Sequence, residues 1–225
     1  MENIYKSKAM KKFLDEDEYN PNFSSHHLHL NKVYMCIGPT GSGKSNFLAN
    51  LIKQFDDTFE EIVIYTADVD EPIYRMLRAS GVSIETHDKI KPLSELDSVR
   101  QKLVVFDDFL CVKKTKKDDI PNLIEEYSIR ARKKQCTMIY LTQNYYSVPT
   151  KIRNQIRYLV VLKLTNAKNL SMIIQGLPIE CSVQKLKAVI NHATEKQFHV
   201  CIIDLTETNP QKCVRRNFVD YYDLS

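Results

Sequence analysis

The sequence contains one glycine-rich stretch from which the rest can be interpreted: Gly38-Pro39-Thr40-Gly41-Ser42-Gly43-Lys44-Ser45. It holds three of the five glycines in the chain, and glycine lets successive backbone N–H groups turn toward one anion. An apolar run over 33–37 precedes the stretch, and a helical pattern over 45–54 follows it. This strand, loop and helix context is that of a P-loop, so the sequence predicts phosphate binding at a helix N-terminus.

The P-loop pattern assigns a role to its polar residues. We expect Lys44 to bridge the β- and γ-phosphates of ATP, and the Ser45 hydroxyl to bind the accompanying Mg²⁺ ion. Asn46, the next residue of the helix, is included in the predicted nucleotide site. That site comprises Gly38, Pro39, Thr40, Gly41, Ser42, Gly43, Lys44, Ser45 and Asn46.

Two acids end a later apolar run and form a Walker B pattern, Leu103-Val104-Val105-Phe106-Asp107-Asp108. The carboxyl ends of parallel strands meet at one sheet edge, so these acids are predicted to lie beside the P-loop. We expect Asp107 to be the second magnesium ligand. Asp108 is the candidate that orients and polarises a water for attack on the γ-phosphate, in place of the more usual glutamate.

A third polar strand end follows the apolar run 137–142. In P-loop ATPases of the additional-strand class, such a strand lies between the P-loop and Walker B strands, and its terminal polar residue senses the γ-phosphate. Gln143 fits that position, although a glutamine there can also simply cap a turn. The tandem acids and this glutamine favour water as the phosphate acceptor.

Apolar runs that alternate with helical periodicity extend over most of the chain and predict an α/β fold with a mostly parallel central sheet and helices on both faces. The predicted class is a P-loop NTPase of the RecA-like, additional-strand type. Residues 1–30 are expected to form an N-terminal arm or extension, and 31–225 the ATPase domain. Predicted strands cover 33–37, 62–65, 82–84, 103–106, 138–141, 158–162, 199–203 and 214–218; predicted helices cover 45–54, 72–79, 121–133, 150–155, 167–174 and 182–192.

Composition narrows the functional classes. With 225 residues, 43% of them hydrophobic, the chain can form one sizeable core. A net charge of only +4 gives weak support for nucleic-acid binding by charge alone. No membrane span or signal peptide is evident, so we expect a soluble intracellular protein. The six scattered cysteines have no zinc-ligand spacing and are expected to be reduced thiols.

The order of these parts resembles the FtsK–HerA superfamily, and most of all the genome-packaging ATPases of poxviruses, other large DNA viruses, virophages and Polinton-like elements. The likeness covers about 29–163 and is most specific over 127–163. Its parts, in chain order, are the P-loop, Phe106-Asp107-Asp108, Ser128-Ile129-Arg130-Ala131-Arg132-Lys133-Lys134, Leu141-Thr142-Gln143 and Val148-Pro149-Thr150-Lys151-Ile152-Arg153.

This resemblance implies a homo-oligomeric ring of ATPase subunits that threads double-stranded DNA at a capsid vertex. In such rings an arginine of the neighbouring subunit completes each site. Arg130, Arg132 and Arg153 are the candidates for this arginine finger, and the sequence does not choose among them.

Some alternatives remain open from the sequence. Lys113-Lys114-Thr115-Lys116-Lys117 could line a pore and follow DNA phosphates without reading bases, or could be a solvated loop. Tyr145-Tyr146 could stack on nucleic acid or pack against a helix. Other functions that share a P-loop are a helicase, a nucleotide kinase, and an assembly scaffold that binds ATP but hydrolyses it poorly.

Overall fold

The computed structural model describes residues 19–109 and 120–225. In this part of the chain nine strands form one sheet, in the order β3-β2-β4-β5-β1-β6-β7-β8-β9. The strands are β1 Val33–Ile37, β2 Glu61–Thr66, β3 Ile84–His87, β4 Lys102–Asp107, β5 Cys136–Thr142, β6 Ile156–Val161, β7 Cys201–Asp204, β8 Val214–Arg216 and β9 Asp220–Tyr222.

The helices connect these strands and cover the sheet. They are α1 Phe23–His26, α2 Lys44–Gln54, α3 Pro72–Ala79, α4 Ile120–Arg130, α5 Thr150–Arg153, α6 Ala167–Gln175 and α7 Val183–Ala193. Short 3₁₀ turns occur at Leu93–Glu95, Ala131–Lys134 and Tyr145–Ser147.

The central strands are buried on both faces, as their unbroken apolar runs predict. All five residues of β1 are buried. Val33, Met35 and Ile37 pack in a core that also contains residues of α4, α6 and α7. Tyr34 and Cys36 point into the opposite core, which contains residues of α2 and α3. The predicted α/β fold with helices on both faces is therefore confirmed.

The sheet order also confirms the additional-strand class. Strand β5 lies between the P-loop strand β1 and the Walker B strand β4, and pairs in parallel with both. The first six strands in this sheet order, β3, β2, β4, β5, β1 and β6, are all parallel. Strands β7, β8 and β9 extend the sheet beyond β6 in antiparallel pairs. The carboxyl ends of β1, β4 and β5 consequently meet at one edge.

Several predicted boundaries differ from the structure. Strand β3 begins at Ile84 rather than 82, because Gly81 and Val82 close the end of α3 through backbone bonds to Arg78 and Leu77. Three of its four residues are polar, so no apolar run marks its position in the sequence. An edge strand is partly exposed and needs few apolar residues. Helix α5 ends at Arg153, the preceding α4 passes into a 3₁₀ turn, and β9 is not predicted at all.

Residues 19–30 lie against the domain. Leu28 and Leu30 are fully buried in the core beside α2. The guanidinium of Arg215 in β8 donates hydrogen bonds to the backbone oxygens of His26 (3.2 Å) and His27 (3.3 Å). Residues 1–18 lie outside the described part of the chain, so the predicted boundary at residue 30 stays a prediction.

Candidate functional site

The P-loop connects β1 to α2 at the carboxyl edge of the sheet. The Gly38 amide donates to the Thr142 carbonyl at the end of β5 (3.1 Å), which fixes where the loop begins. Helix α2 begins at Lys44, and its N-cap residue, Gly43, has no side chain that could cap the first N–H groups. Its first backbone N–H groups and its dipole therefore favour an anion at this point.

Two glycines of the loop adopt left-handed backbone conformations. Gly41 has φ +74° and Gly43 has φ +104°, where an L side chain is strained. A Cβ added to Gly43 would lie 2.7 Å from Cδ1 of Phe198, whereas one added to Gly41 would meet no atom within 4 Å. The loop thus requires glycine at position 43 for both its backbone and its packing.

Lys44 is turned inward over this loop. Its side chain is only 9% exposed, and Nζ donates to the Gly38 carbonyl (3.2 Å). Nζ also lies 3.6 Å from Oδ2 of Asp108, so the structure brings together the P-loop lysine and the second Walker B acid. These contacts place one positive charge beside the anion-binding loop.

Asp108 follows β4 directly and has a left-handed backbone conformation, φ +46°. Its amide donates to the Leu141 carbonyl (3.0 Å), and its Oδ2 accepts a hydrogen bond from Nε2 of Gln143 (3.0 Å). Its Oδ1 is buried and has no hydrogen-bond partner within residues 19–109 and 120–225. The carboxylate is thus oriented through Oδ2, the oxygen that faces Lys44 and Gln143.

Asp107, the last residue of β4, is held by a different partner. The Tyr74 hydroxyl of α3 donates to its Oδ2 at 2.5 Å. Burial raises the pKa of the Asp107 carboxyl to about 6, and Glu71 and Asp108 act in the same direction, while the Tyr74 hydrogen bond and the Lys44 charge oppose them. The cost of an isolated buried charge favours neutralisation of Asp107 by a proton or a cation.

The Ser45 hydroxyl donates to Oε1 of Glu71 (2.9 Å), at the start of α3. Neither Glu71 nor Tyr74 was singled out by the sequence analysis. A usable signal was present, because Glu71 follows β2 and precedes Pro72, which begins a helix. The rule that placed the Walker B acids at the carboxyl edge applies equally to β2, the parallel neighbour of β4.

Two of the three candidate arginines, Arg130 and Arg132, lie away from this cluster. Arg130 is 68% exposed and pairs with Glu126 (3.4 Å), and Arg132 is exposed in the turn before β5. The seven residues of β5 separate that turn from Gln143, a distance of about 20 Å at the usual rise of a strand. Arg130 and Arg132 therefore lie at the sheet edge opposite to their own P-loop.

Arg153 is held by its own chain. Its Nε donates to the Val148 carbonyl (3.0 Å), and its guanidinium lies 4.9 Å from the ring centre of Tyr145 and 5.3 Å from that of Tyr146. Tyr145 is 9% exposed and packs in the core, so it cannot stack on nucleic acid in this conformation, whereas Tyr146 is 43% exposed. The predicted pore lysines, 113–117, lie outside the described residues.

All five cysteines within the described residues are free thiols. The sixth, Cys111, lies outside those residues. No cluster of three or more His, Cys, Asp or Glu side chains with metal-binding geometry occurs in residues 19–109 and 120–225. Over the same residues, no helix has the length and apolar character to cross a membrane.

Comparison with known structures supports the fold. The genome packaging NTPase B204 from Sulfolobus turreted icosahedral virus 2, in complex with ATP-gammaS, is 14% identical, with 84% of this chain and 98% of B204 covered and a TM-score of 0.53. The cytoplasmic domain of the Type VII secretion ATPase EccC from Thermomonospora curvata is 13% identical, with 84% and 25% covered and a TM-score of 0.56. At such identities the likeness concerns the fold alone.

Comparison with family models identifies the family as well as the fold. No curated protein matches the chain. The family model described as poxvirus A32 protein matches residues 20–216, which is most of the chain and includes every candidate site residue. The chain therefore belongs to the poxvirus A32 protein family, the viral genome-packaging ATPases that its sequence resembles.

Proposed function

We propose that this chain is the ATP-hydrolysing motor that moves viral double-stranded DNA into a capsid, with Lys44, Asp107, Asp108 and Gln143 as its catalytic residues. One observation within the site carries the proposal. Lys44 and Gln143 converge on the same oxygen of Asp108, at 3.6 Å and 3.0 Å. These are the residue types that a P-loop ATPase places around the γ-phosphate.

The geometry suits attack by water on that phosphate. Lys44, now paired with Gly38 and Asp108, is positioned to exchange these partners for phosphate oxygens. The Asp108 side chain is 30% exposed, and its Oδ2, which faces Lys44 and Gln143, is the oxygen proposed to accept a proton from an attacking water. The Gln143 side-chain amide orients that carboxylate and could form a hydrogen bond with a γ-phosphate beside it.

The residues also fit the magnesium ion that accompanies ATP. Ser45, Asp107 and Glu71 offer hydroxyl and carboxylate oxygens, the ligands that Mg²⁺ prefers. Burial raises the pKa of Asp107, so a nearby cation would stabilise its charged form. Ser45 and Asp107 are the proposed ligands, with the remaining positions left to phosphates and water. The ion would supply positive charge that neutralises the charge developing on the phosphates.

A ring of subunits would let an arginine of one chain complete the site of its neighbour. Arg130 and Arg132 lie at the sheet edge opposite to their own P-loop, as a finger that acts on a neighbouring subunit requires. Arg153 is held by Val148 and Thr150, whereas Arg130 pairs with Glu126 on the surface. We propose that the finger is one of these three.

The substrate and location follow from membership of the family. We propose non-specific contact with the phosphate backbone of double-stranded DNA, capsid proteins at a vertex as partners, and a site of action in the viral factory or host cytoplasm, or on the virion. Backbone contacts need no base-reading module, and their affinity falls with added salt.

The test is ATP hydrolysis by the purified chain over a range of protein concentrations, with and without duplex DNA. Wild type is compared with Lys44→Ala and with Lys168→Ala, a surface control on α6. Specific activity that rises with protein concentration and with duplex, and that is lost in Lys44→Ala alone, supports a ring motor. Activity that requires a nucleoside or nucleotide acceptor would show a kinase instead. Displacement of a strand from forked DNA would show a helicase.

A further inference from the structure

A cavity lies beside the P-loop, on the side away from the Walker B acids. Its volume is about 360 Å³, which is within the range of small-molecule sites. Its walls are the P-loop residues 39–42, the residues Lys163 and Thr165 that follow β6, and the loop 195–199 that precedes β7. None of the roles assigned above to Lys44, Asp108 or Gln143 uses this cavity.

The sheet order relates the cavity to the ends of a bound nucleotide. Asp107 and Gln143 follow β4 and β5, on one side of the P-loop strand β1, whereas β6 lies on its other side. A nucleotide whose γ-phosphate faces Asp108 and Gln143 has its ribose and base at the far end of the molecule. This end would extend along the P-loop toward β6, where the cavity lies.

Phe198 is an unusual residue within this cavity. Its side chain is 51% exposed, although water exposure of a large aromatic ring is unfavourable. Its backbone is left-handed, with φ +65°, which is an outlier for a bulky residue. Strained residues of this kind cluster at ligand sites. The exposure and the strain therefore point together to a contact that the isolated chain does not make.

The position of Phe198 is fixed against the P-loop. A Cβ added to Gly43 would lie 2.7 Å from Cδ1 and 3.4 Å from Cε1 of the ring, so that edge packs on the glycine. The amide of His199 donates to the Lys196 carbonyl (3.1 Å) and closes the loop as a turn. The ring is therefore placed next to the phosphate site while about half of its surface stays open.

We propose that this cavity binds the base and ribose of the nucleoside triphosphate, with the Phe198 ring stacking on the base. This inference rests on the proposed function, because it names the subsite for the other end of the same ligand. An aromatic ring offers a planar surface to any base, and such stacking tolerates different bases. The subsite is accordingly one for nucleoside triphosphates, with little discrimination between bases such as adenine and guanine.

The experiment compares Mg²⁺-ATP, Mg²⁺-GTP and Mg²⁺-tripolyphosphate binding to wild type, Phe198→Leu and Phe198→Tyr by calorimetry. Leucine keeps an apolar contact with Gly43 but has no ring, while tyrosine keeps the ring. We expect Phe198→Leu to weaken ATP and GTP binding about 5- to 100-fold and tripolyphosphate binding less than about twofold. Phe198→Tyr should resemble wild type, and so should Met172→Ala, an exposed apolar control on α6.

Two results would overturn the inference while leaving the proposed function intact. Unchanged ATP binding in Phe198→Leu would mean that the base lies elsewhere. An equal loss of ATP and tripolyphosphate binding would mean that Phe198 only supports the P-loop. By contrast, wild type that binds neither ligand would contradict the proposed function itself.

Discussion

The two sides of the P-loop strand hold their polar groups in different ways. On the side of β4 and β5, Lys44, Asp108 and Gln143 are joined by an ion pair and a hydrogen bond. We call these three residues the carboxylate side. On the side of β6, loop 195–199 borders an open cavity and presents the half-exposed ring of Phe198. We call that loop the Phe198 side.

This difference matches two tasks. Chemistry at a phosphate needs groups held before the substrate arrives, since preorganised partners need not reorganise during the reaction. Binding of a base requires an apolar surface of suitable shape. Such a surface binds different bases with little specificity. The carboxylate side should therefore control the rate of hydrolysis, and the Phe198 side should control affinity.

The largest expected effect separates rate from affinity. Asp108→Asn keeps the size of the side chain but loses the base, so we expect kcat for ATP hydrolysis to fall about 100- to 10,000-fold. ATP affinity should change less than about tenfold. The measurement is steady-state hydrolysis beside calorimetric binding, with Asp70→Asn, an 82% exposed acid at the same sheet edge, as the control. Hydrolysis at the wild-type rate would contradict the role of Asp108 and would make Glu71 the next candidate for the base.

The second effect tests the contact between the P-loop and the Phe198 side. Gly43→Ala adds backbone strain at φ +104° and a methyl group 2.7 Å from Phe198, so we expect a loss of about 2 to 4 kcal/mol in the free energy of unfolding. Gly41→Ala has strain at φ +74° without a close neighbour, and should cost about 1 to 2 kcal/mol. Denaturant unfolding measures both.

A double variant separates the two causes. Gly43→Ala combined with Phe198→Ala removes the clash but not the backbone strain, so it should be less destabilised than the sum of the single variants. If the two glycine variants lose equal stability, the packing of Phe198 on Gly43 contributes nothing and the ring is not fixed by the P-loop.

The smallest expected effect concerns the negative charge of Asp107, which lowers the stability of the folded chain. The pKa of Asp107 is about 6 in the folded chain, above the usual value of about 3.9 for an unfolded aspartate. Between these values the folded state binds more protons, so the stability of the nucleotide-free wild type falls as pH rises through this window. Asp107→Asn should therefore be more stable than wild type above pH 6, by about 1 to 3 kcal/mol.

The pH dependence provides the check on this prediction. As pH falls from 6 to about 4, the folded wild type takes up a proton at Asp107, so the difference in the free energies of unfolding should shrink. It should vanish only below about pH 4, where the unfolded wild type is protonated as well. Denaturant unfolding without nucleotide or magnesium at pH 4.5, 6 and 8 measures it. Equal stability at pH 8 would show that the Asp107 charge costs the fold nothing.

Much of the fold was predictable because its signals are local. The P-loop pattern and the unbroken apolar runs of β1, β4 and β5 predict buried parallel strands, and the structure confirms them. The run over 137–142 also led to the strand order, which places β5 between the other two. Strand β3 was displaced and β9 missed, because short edge strands carry little apolar periodicity.

The sequence by itself determined which residues at the carboxyl edge carry charge or amide groups. Lys44, Asp108 and Gln143 each follow a recognisable strand, and parallel pairing alone brings strand ends together. The chemistry of that side could therefore be predicted before any contact was known, although the role of each residue stays a prediction.

Only the tertiary structure decided which other groups surround them. Glu71 meets Ser45, Tyr74 meets Asp107, and Phe198 meets Gly43. These pairs are separated by 26, 33 and 155 positions of sequence. Parallel pairing places Glu71 at the same sheet edge, but the contacts themselves depend on how helices and loops pack on the completed sheet.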